Sequence, residues 1–409
     1  MIRTQQPEVD RYAALEEKYG AHNYHPLPVV LNRGEGVFVW DVEDKRYYDF
    51  LSGYSAVNQG HCHPRIIAAL RDQAGKLTLS SRAFYNDQLG EFCQMAATLF
   101  GYDKVLPMNT GVEGVETAIK LARRWGYVVK GIADNQAKII VCENNFHGRT
   151  LNVVSFSTDP AARKGFGPFM PGYLTIPYND LPALERALQD RKVAGFLVEP
   201  IQGEAGVVVP DPGYLSKARQ YCEDAQVLFI ADEIQTGLGR TGKILCCDHE
   251  KVRPDILILG KALSGGTMPV AAVLADDPVM LTIHPGEHGS TFGGNPLACR
   301  VAMVSLQVML DEGLSDNARL QGEYLRQSLE RLNHPAISCI RGMGLLNALV
   351  ITHINPDAAW DLCMALLENG LLAKPTHGDK IRFAPPLVIT TEQVKDCVTI
   401  IAKSLEILR

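Results

Sequence analysis

The sequence predicts an α/β protein, with a large domain built on a mostly parallel sheet flanked by helices and a smaller α+β domain. Three observations carry this. Through the middle of the chain, short apolar runs alternate with helical periodicity. Beyond about residue 295, long helical patterns take over. At 409 residues the chain can also bury a large core without disulfide or metal staples.

In chain order, 37–40 and 47–50 read as a hairpin around a turn at 43–45, expected to pack on the C-terminal part. The runs 138–142 (KIIVC), 195–198 (GFLV), 227–231 (VLFIA), 255–259 (DILIL) and 270–274 (VAAVL) are short, aliphatic and followed by polar residues or glycine. With helices between them they read as buried parallel strands. Chemistry in such sheets collects at the carboxyl ends of the strands. Helices are then expected over 296–311, 314–332, 358–369 and 391–408, with a strand at 345–351. The division expected is 1–55, packing with the small domain, 56–295 for the large domain and 296–409 for the small one.

Apolar residues make up 46% and charged residues 21%, the balance of an ordinary globular enzyme. The formal net charge of -6 and the lack of clustered Lys and Arg speak against a nucleic-acid or membrane-surface protein. No apolar run is long enough to span a bilayer. There is no internal repeat or low-complexity tract. The ten cysteines form no C-x-x-C pair and are expected as buried or free thiols in a reducing compartment. The first twenty residues lack a secretory apolar stretch and carry Glu8, Asp10, Glu16 and Glu17. The expected location is the cytoplasm, or the mitochondrial matrix if a presequence was removed.

Three short stretches carry chemistry. Thr110 and Glu113 have capping-box spacing, and Val115, Ala118, Ile119 and Ala122 follow at helical intervals. Gly111 at that first turn leaves backbone amides open to an anion, although a plain capped helix explains the same pattern. Asp232 and Glu233 end the apolar run at 227–231, where burial is costly unless the charge has a partner. A protonated heteroaromatic nitrogen is one such partner; a helix cap or a salt bridge is another. Lys261 directly follows a buried run, with Gly260 before it and Gly265 and Gly266 after. Desolvation there would lower its pKa and free the amine as a nucleophile, the alternative being a lysine that snorkels to the surface.

Two patterns mislead. Gly237, Gly239 and Gly242 fit G-x-G-x-x-G, but 232–236 separate them from the strand and no helix pattern follows. Gly260-Lys261 is not a P-loop, because Ala262 follows the lysine and Asp255 stands where the first glycine belongs. His61-Cys62-His63 lacks further ligands in any recognisable spacing, so it reads as a structural loop ended by Pro64, and no metal is expected.

Taken together, these pieces resemble the class III, fold-type I aminotransferases, over nearly the whole chain. The stretches that carry the likeness are 22–28 (HNYHPLP), 52–64 (SGYSAVNQGHCHP), 106–113 (LPMNTGVE), 145–150 (NFHGRT), 165–171 (GFGPFMP), 198–212 (VEPIQGEAGVVVPDP), 231–237 (ADEIQTG), 259–266 (LGKALSGG), 288–296 (HGSTFGGNP) and 372–386 (LAKPTHGDKIRFAPP). The acid, lysine and glycine set belongs to the class at large. HNYHPLP, SGYSAVNQGHCHP and LAKPTHGD narrow it to the ornithine branch.

The resemblance implies pyridoxal 5'-phosphate as cofactor, with ornithine and 2-oxoglutarate as substrates. Lys261 would join the cofactor aldehyde covalently and then shuttle a proton. Asp232 would keep the ring nitrogen protonated, Gln235 would reach the ring hydroxyl, and Phe146 would stack on the ring. Gly111 and Val112 would give amides to the phosphate. Ser290 and Thr291 would reach that phosphate from the neighbouring subunit of a homodimer. Arg149 and Arg382 would hold substrate carboxylates, with Glu204 pairing Arg382 when ornithine is bound and releasing it for the dicarboxylate. Tyr24 and Tyr54 would hold the ornithine head group. The chain departs from the family pattern at Gly114-Val115, where Ala-Gly is frequent, and at His147, where some of the ornithine branch has tryptophan. The first is expected to change the packing behind the phosphate turn. The competing readings are an acetylornithine or 4-aminobutyrate enzyme of the same class, a silent binding protein on the same scaffold, and a nicotinamide oxidoreductase resting on the rejected glycine pattern.

Overall fold

The computed structural model describes residues 7–408. The hairpin read near the N-terminus is present as β2 (Phe38–Asp41) and β3 (Arg46–Asp49), preceded by β1 (Leu31–Glu35) in an antiparallel meander. The seven-stranded central sheet contains β4 (Lys104–Met108), β5 (Lys138–Cys142), β6 (Tyr173–Ile176), β7 (Val193–Val198), β8 (Leu228–Asp232), β9 (Ile256–Leu259) and β10 (Ala271–Ala275). Their spatial order is β4-β10-β9-β8-β7-β5-β6. From β9 through β6 every pairing is parallel. A second sheet, β11 (Ile337–Met343), β12 (Leu346–Ile351), β14 (Lys374–Thr376) and β15 (Lys380–Phe383), is antiparallel in the order β11-β12-β15-β14, with β13 (Leu371–Leu372) lying elsewhere.

One expectation is corrected. The run at 270–274 was grouped with the parallel strands, but β10 runs antiparallel to both β9 and β4. The link from Leu259 to Ala271 holds only a 3₁₀ turn, Lys261–Ser264. A parallel return needs a crossover of a dozen or more residues, usually a helix, so the chain doubles back. Strands β4 and β6 were not foreseen. Both are edge strands with mixed burial, and β4 contains Pro107, which an edge tolerates. β5, β7, β8, β9 and β10 are almost wholly buried, which is why they read as continuous apolar runs.

Helix Gly111–Val128 crosses the sheet beside β4, β7 and β9. Its capping box is formed in both directions: Thr110 Oγ1 accepts from the Glu113 amide at 3.3 Å, and Glu113 Oε2 accepts from the Thr110 amide at 2.8 Å. Val115, Ala118, Ile119 and Ala122 are all buried against the strands, at about 1.5–3 kcal/mol for each large aliphatic. A methyl group on Gly114 would lie 2.9 Å from Ile258 Cγ2, so glycine lets the helix seat closely while Val115 fills the core.

The four long C-terminal patterns appear as helices Pro296–Asp311, Leu314–Glu330, Ala358–Glu368 and Thr391–Leu405. The N-terminal strands do meet this region. β3 pairs in parallel with β13, Tyr48 Oη donates to Asp396 Oδ2 at 3.0 Å, and the Ala384 amide donates to the Phe50 carbonyl at 2.8 Å. The rejected glycine pattern and the histidine pair have structural explanations. Arg240, inside the glycine pattern, is fully buried and donates through Nη1 to the carbonyls of Leu345 (3.0 Å) and Pro385 (2.6 Å). His61 and His63 turn to different carboxylates, Asp49 (2.7 Å) and Glu312 (2.9 Å), and a helix begins at Pro64.

Candidate active site

The cleft lies at the carboxyl ends of the parallel strands, where the fold rule directs attention. Gly111, Val112, Phe146, Glu204, Asp232, Gln235 and Lys261 line it together. Seven of the residues singled out in the sequence therefore converge on one space.

Lys261 is the first residue after Gly260 at the end of β9 and opens the 3₁₀ turn with a φ of 44°. Burial pushes its amine pKa down, Glu204 and Asp232 pull the other way, and the net shift is downward. Asp232 ends β8, is buried, and its Oδ2 lies 2.6 Å from His147 Nδ1. Its Oδ1 accepts from the Ile234 amide at 3.1 Å. Glu233, beside it, points the other way. It accepts from the amides of Cys246 (3.0 Å) and Cys247 (2.8 Å) and from Thr236, a purely structural role.

Across the cleft, Arg382 on β15 is buried and donates through Nη1 to Glu204 Oε1 at 2.6 Å. The Gln235 amide nitrogen donates to the same carboxylate oxygen at 3.1 Å. Burial pushes the Glu204 carboxyl up, but Arg382, Lys261 and Gln235 outweigh it and hold it below the usual range. Arg382 Nη2 and Nε, and Gln235 Oε1, are buried without a protein partner. Buried donors and acceptors of this kind are expensive unless something occupies the cleft beside them. The guanidinium of Arg382 also lies 5.1 Å above the ring of Tyr54. Gly203 makes room for this arrangement, since a Cβ there would stand 1.5 Å from Gln235 Oε1.

The remaining expected residues stand further out. Arg149 is exposed, with its guanidinium 5.3 Å from the Phe146 ring centroid and 3.8 Å from Asp159 Oδ2. It lines an adjoining cleft that shares Phe146 and Glu204 with the first. Tyr24 is 69% exposed and outside the cleft lining. It still reaches the neighbourhood of Tyr54, whose hydroxyl pKa is raised by burial, then by Glu204 and Tyr24. Ser290 Oγ accepts from Asn109 Nδ2 of its own chain at 2.8 Å, beside the turn at Thr110 and Gly111, while Thr291 is exposed.

Two of the lining residues that had no role assigned from sequence are titratable. His147 is buried, its Nε2 lacks a partner, and its pKa is raised because Asp232 outweighs the effect of burial. Glu199 directly follows β7, and its Oε1 accepts from the Phe146 amide at 2.9 Å. Burial above all raises its carboxyl pKa to about 7. The signal was present: Glu199 is an acid at the tip of an apolar strand, the same pattern that drew attention to Asp232.

The donor set suits a flat, anionic, cationic-nitrogen heterocycle. Free helix amides stand at one end, a buried carboxylate at the other, and an aromatic face and an amine between them. The aminotransferase class-III family model matches residues 19–405. The chain belongs to the class-III aminotransferases. As such it is a pyridoxal-phosphate-dependent transferase with the fold-type I architecture. Ornithine aminotransferase of Rattus norvegicus, named as mitochondrial, is 63% identical over 95% of this chain and 89% of its own length. The Drosophila melanogaster enzyme of the same name is 64% identical over 96% and 90%. Among solved structures, ornithine aminotransferase of Toxoplasma gondii superposes with a TM-score of 0.96, at 51% identity over 98% of this chain and 94% of that one. A structure named acetylornithine aminotransferase, from Elizabethkingia anophelis, matches this class-III chain with a TM-score of 0.90 at 58% identity over 97% and 99%.

Proposed function

We propose that this aminotransferase moves the δ-amino group of L-ornithine to 2-oxoglutarate, giving glutamate 5-semialdehyde and glutamate by a ping-pong mechanism. The observation that carries the reading is the Glu204–Arg382 pair at 2.6 Å, in reach of Lys261. A diamino acid and a dicarboxylate must use the same pocket in turn. A buried arginine covered by a carboxylate that can swing away serves both, because the pair is closed for the amine donor and open for the acid. The names of the rat, fly and Toxoplasma relatives support the same substrate.

When bound, pyridoxal phosphate supplies an aldehyde carbon and an electron-withdrawing ring. Lys261, its amine pKa lowered by burial, would hold the aldehyde carbon and would carry a proton to and from the substrate carbon bearing the amine. Asp232 would keep the proton on the ring nitrogen. Gln235 would turn toward the ring hydroxyl oxygen, exchanging one of its present acceptors for it, and Phe146 would cover one face. Gly111 and Val112 offer helix amides to the phosphate. Ser290 and Thr291 of the partner subunit would complete that phosphate site in a homodimer. Tyr24 and Tyr54 hold the ornithine head group, and Arg149 leaves Asp159 to clamp a substrate carboxylate. We assign the small domain to 296–409 with the strands of 1–55, and the large domain to 56–295. We assign the cytoplasm as compartment, or the mitochondrial matrix for a chain trimmed of a presequence; among the described residues no helix is long and apolar enough to cross a membrane.

The test is a spectral titration of the purified holoenzyme. Ornithine should convert the cofactor band, 2-oxoglutarate should restore it, and Lys261→Ala should abolish turnover. A holoenzyme whose band ignores ornithine would sink the assignment. The second reading, an acetylornithine enzyme, rests on the Elizabethkingia structure at 58% identity. It predicts that N-acetylornithine outcompetes ornithine in the same titration.

A further inference from the structure

Ser52, Gly53, Tyr54 and Ser55 have φ values of 50°, 56°, 62° and 69°, so four successive residues form a left-handed helical turn. Only Gly53 adopts that conformation freely. The other three carry a Cβ into the following carbonyl and stay there only if their surroundings force them. The forcing groups are identifiable. Asp49 Oδ1 accepts from the amides of Leu51 (2.9 Å) and Ser52 (2.8 Å), and its Oδ2 lies 2.7 Å from His61 Nε2. His61 is itself fixed by a two-way backbone bridge to Gly36, at 2.8 and 3.0 Å. On the far side, Asn58 Nδ2 donates to the Leu238 carbonyl at 2.8 Å, and Gln59 Nε2 donates to that of Ala262, next to Lys261, at 3.1 Å.

We infer that Asp49 and His61 are positioning residues for substrate selection, because the left-handed turn they hold sets Tyr54 against Arg382. This deepens the function proposed above and rests on it. Two paths lead from the turn to the switch. The Tyr54 ring lies 5.1 Å from the Arg382 guanidinium. The Tyr54 carbonyl accepts at 3.3 Å from Gln235 Nε2, the same nitrogen that donates to Glu204. If Asp49 lets go, the turn can relax toward right-handed or extended backbone. The ring then leaves Arg382, and Gln235 loses one of its two acceptors. The His61-Cys62-His63 stretch thereby acquires a purpose that metal binding did not give it.

The experiment compares kcat/KM for ornithine with kcat/KM for 4-aminobutyrate in the holoenzyme, for Asp49→Ala, His61→Gln, Tyr54→Ile and the double variants. Melting temperature and the cofactor absorbance band are recorded for each. Each single variant should lower the ornithine preference about tenfold, as misplacing a substrate-holding group does. Added to Tyr54→Ile, the Asp49 and His61 changes should have a clearly smaller effect than in the wild type, since the ring path is already gone and only the carbonyl path to Gln235 remains. Should Asp49→Ala fail to fold, His61→Gln carries the test alone, as it removes only the outer support. An unchanged preference in a variant with native melting and absorbance overturns the inference. So does a full further loss on top of Tyr54→Ile. A wild-type enzyme that prefers 4-aminobutyrate would instead overturn the functional reading, and the dependence of its preference on Asp49 would still be measurable.

Discussion

His147 Nδ1 stands 2.6 Å from Asp232 Oδ2, and both side chains are buried. The imidazole therefore braces the carboxylate assigned to the cofactor nitrogen, and shares its negative charge. Replacing it with Phe keeps the bulk against Phe156 but leaves a buried carboxylate short of one donor. Losing a hydrogen bond to a buried charge costs about 1.5–3 kcal/mol. His147→Phe should weaken pyridoxal phosphate binding roughly tenfold to a hundredfold. Titration of the apoenzyme with cofactor reads this directly, and an affinity within twofold of wild type would show that Asp232 needs no brace.

Glu199 makes stability depend on pH. Burial, with Asp232 and Glu204 adding to it, raises its carboxyl pKa from 4.5 to about 7. Between those values the native protein holds a proton that the unfolded chain has lost, so stability falls as pH rises through that window. His147, whose pKa is also raised, acts in the same direction above its ordinary 6.5. Glu199→Gln should flatten the slope and stabilise the protein at pH 8 by up to about 3 kcal/mol relative to its effect at pH 4.5. Thermal unfolding of apoenzyme at both pH values checks it; equal shifts at both would mean that Glu199 is not the titrating group.

Glu204→Gln leaves Arg382 without the anion at 2.6 Å that covers it. An uncovered buried arginine attracts any α-carboxylate, including the wrong end of ornithine. The ornithine half-reaction should therefore lose at least about tenfold in kcat/KM, whereas the glutamate half-reaction should change only a few-fold. Stopped-flow spectra of the two half-reactions separate them. Equal losses in both would argue against a gate.

Gly203→Ala tests the packing beneath that gate. The added methyl would fall 1.5 Å from Gln235 Oε1, so the amide must rotate away and give up Glu204 or the Tyr54 carbonyl. Gly203 has no left-handed φ, so the backbone itself is not strained by alanine. We expect a melting point within a few degrees of wild type and a raised KM for ornithine. A normal KM would mean that Gln235 has a second position with the same contacts.

The sequence by itself determined which segments form the buried strands, the capped helix at Thr110 and the C-terminal helices. Those features follow from local periodicity, capping chemistry and burial of whole apolar runs. It also singled out Asp232 and Lys261, because a charge at the tip of an apolar strand is costly and so demands a reason. Edge strands β4 and β6 escaped it, since a strand with one neighbour carries no continuous apolar run. The reversal of β10 depended on the absence of a crossover helix after Lys261. Local patterning left Asp232 and Glu233 alike, the resemblance pointed to Asp232, and the tertiary structure shows Asp232 lining the cleft while Glu233 turns to the amides of Cys246 and Cys247. It also decided that Asp49 and His61 grip a left-handed turn, and it set at 2.6 Å the pair of Glu204 and Arg382, 178 residues apart, that only the resemblance, and no local pattern, implied. Such pairings depend on where distant segments come to rest, and local patterns along a chain do not encode distance between its far ends.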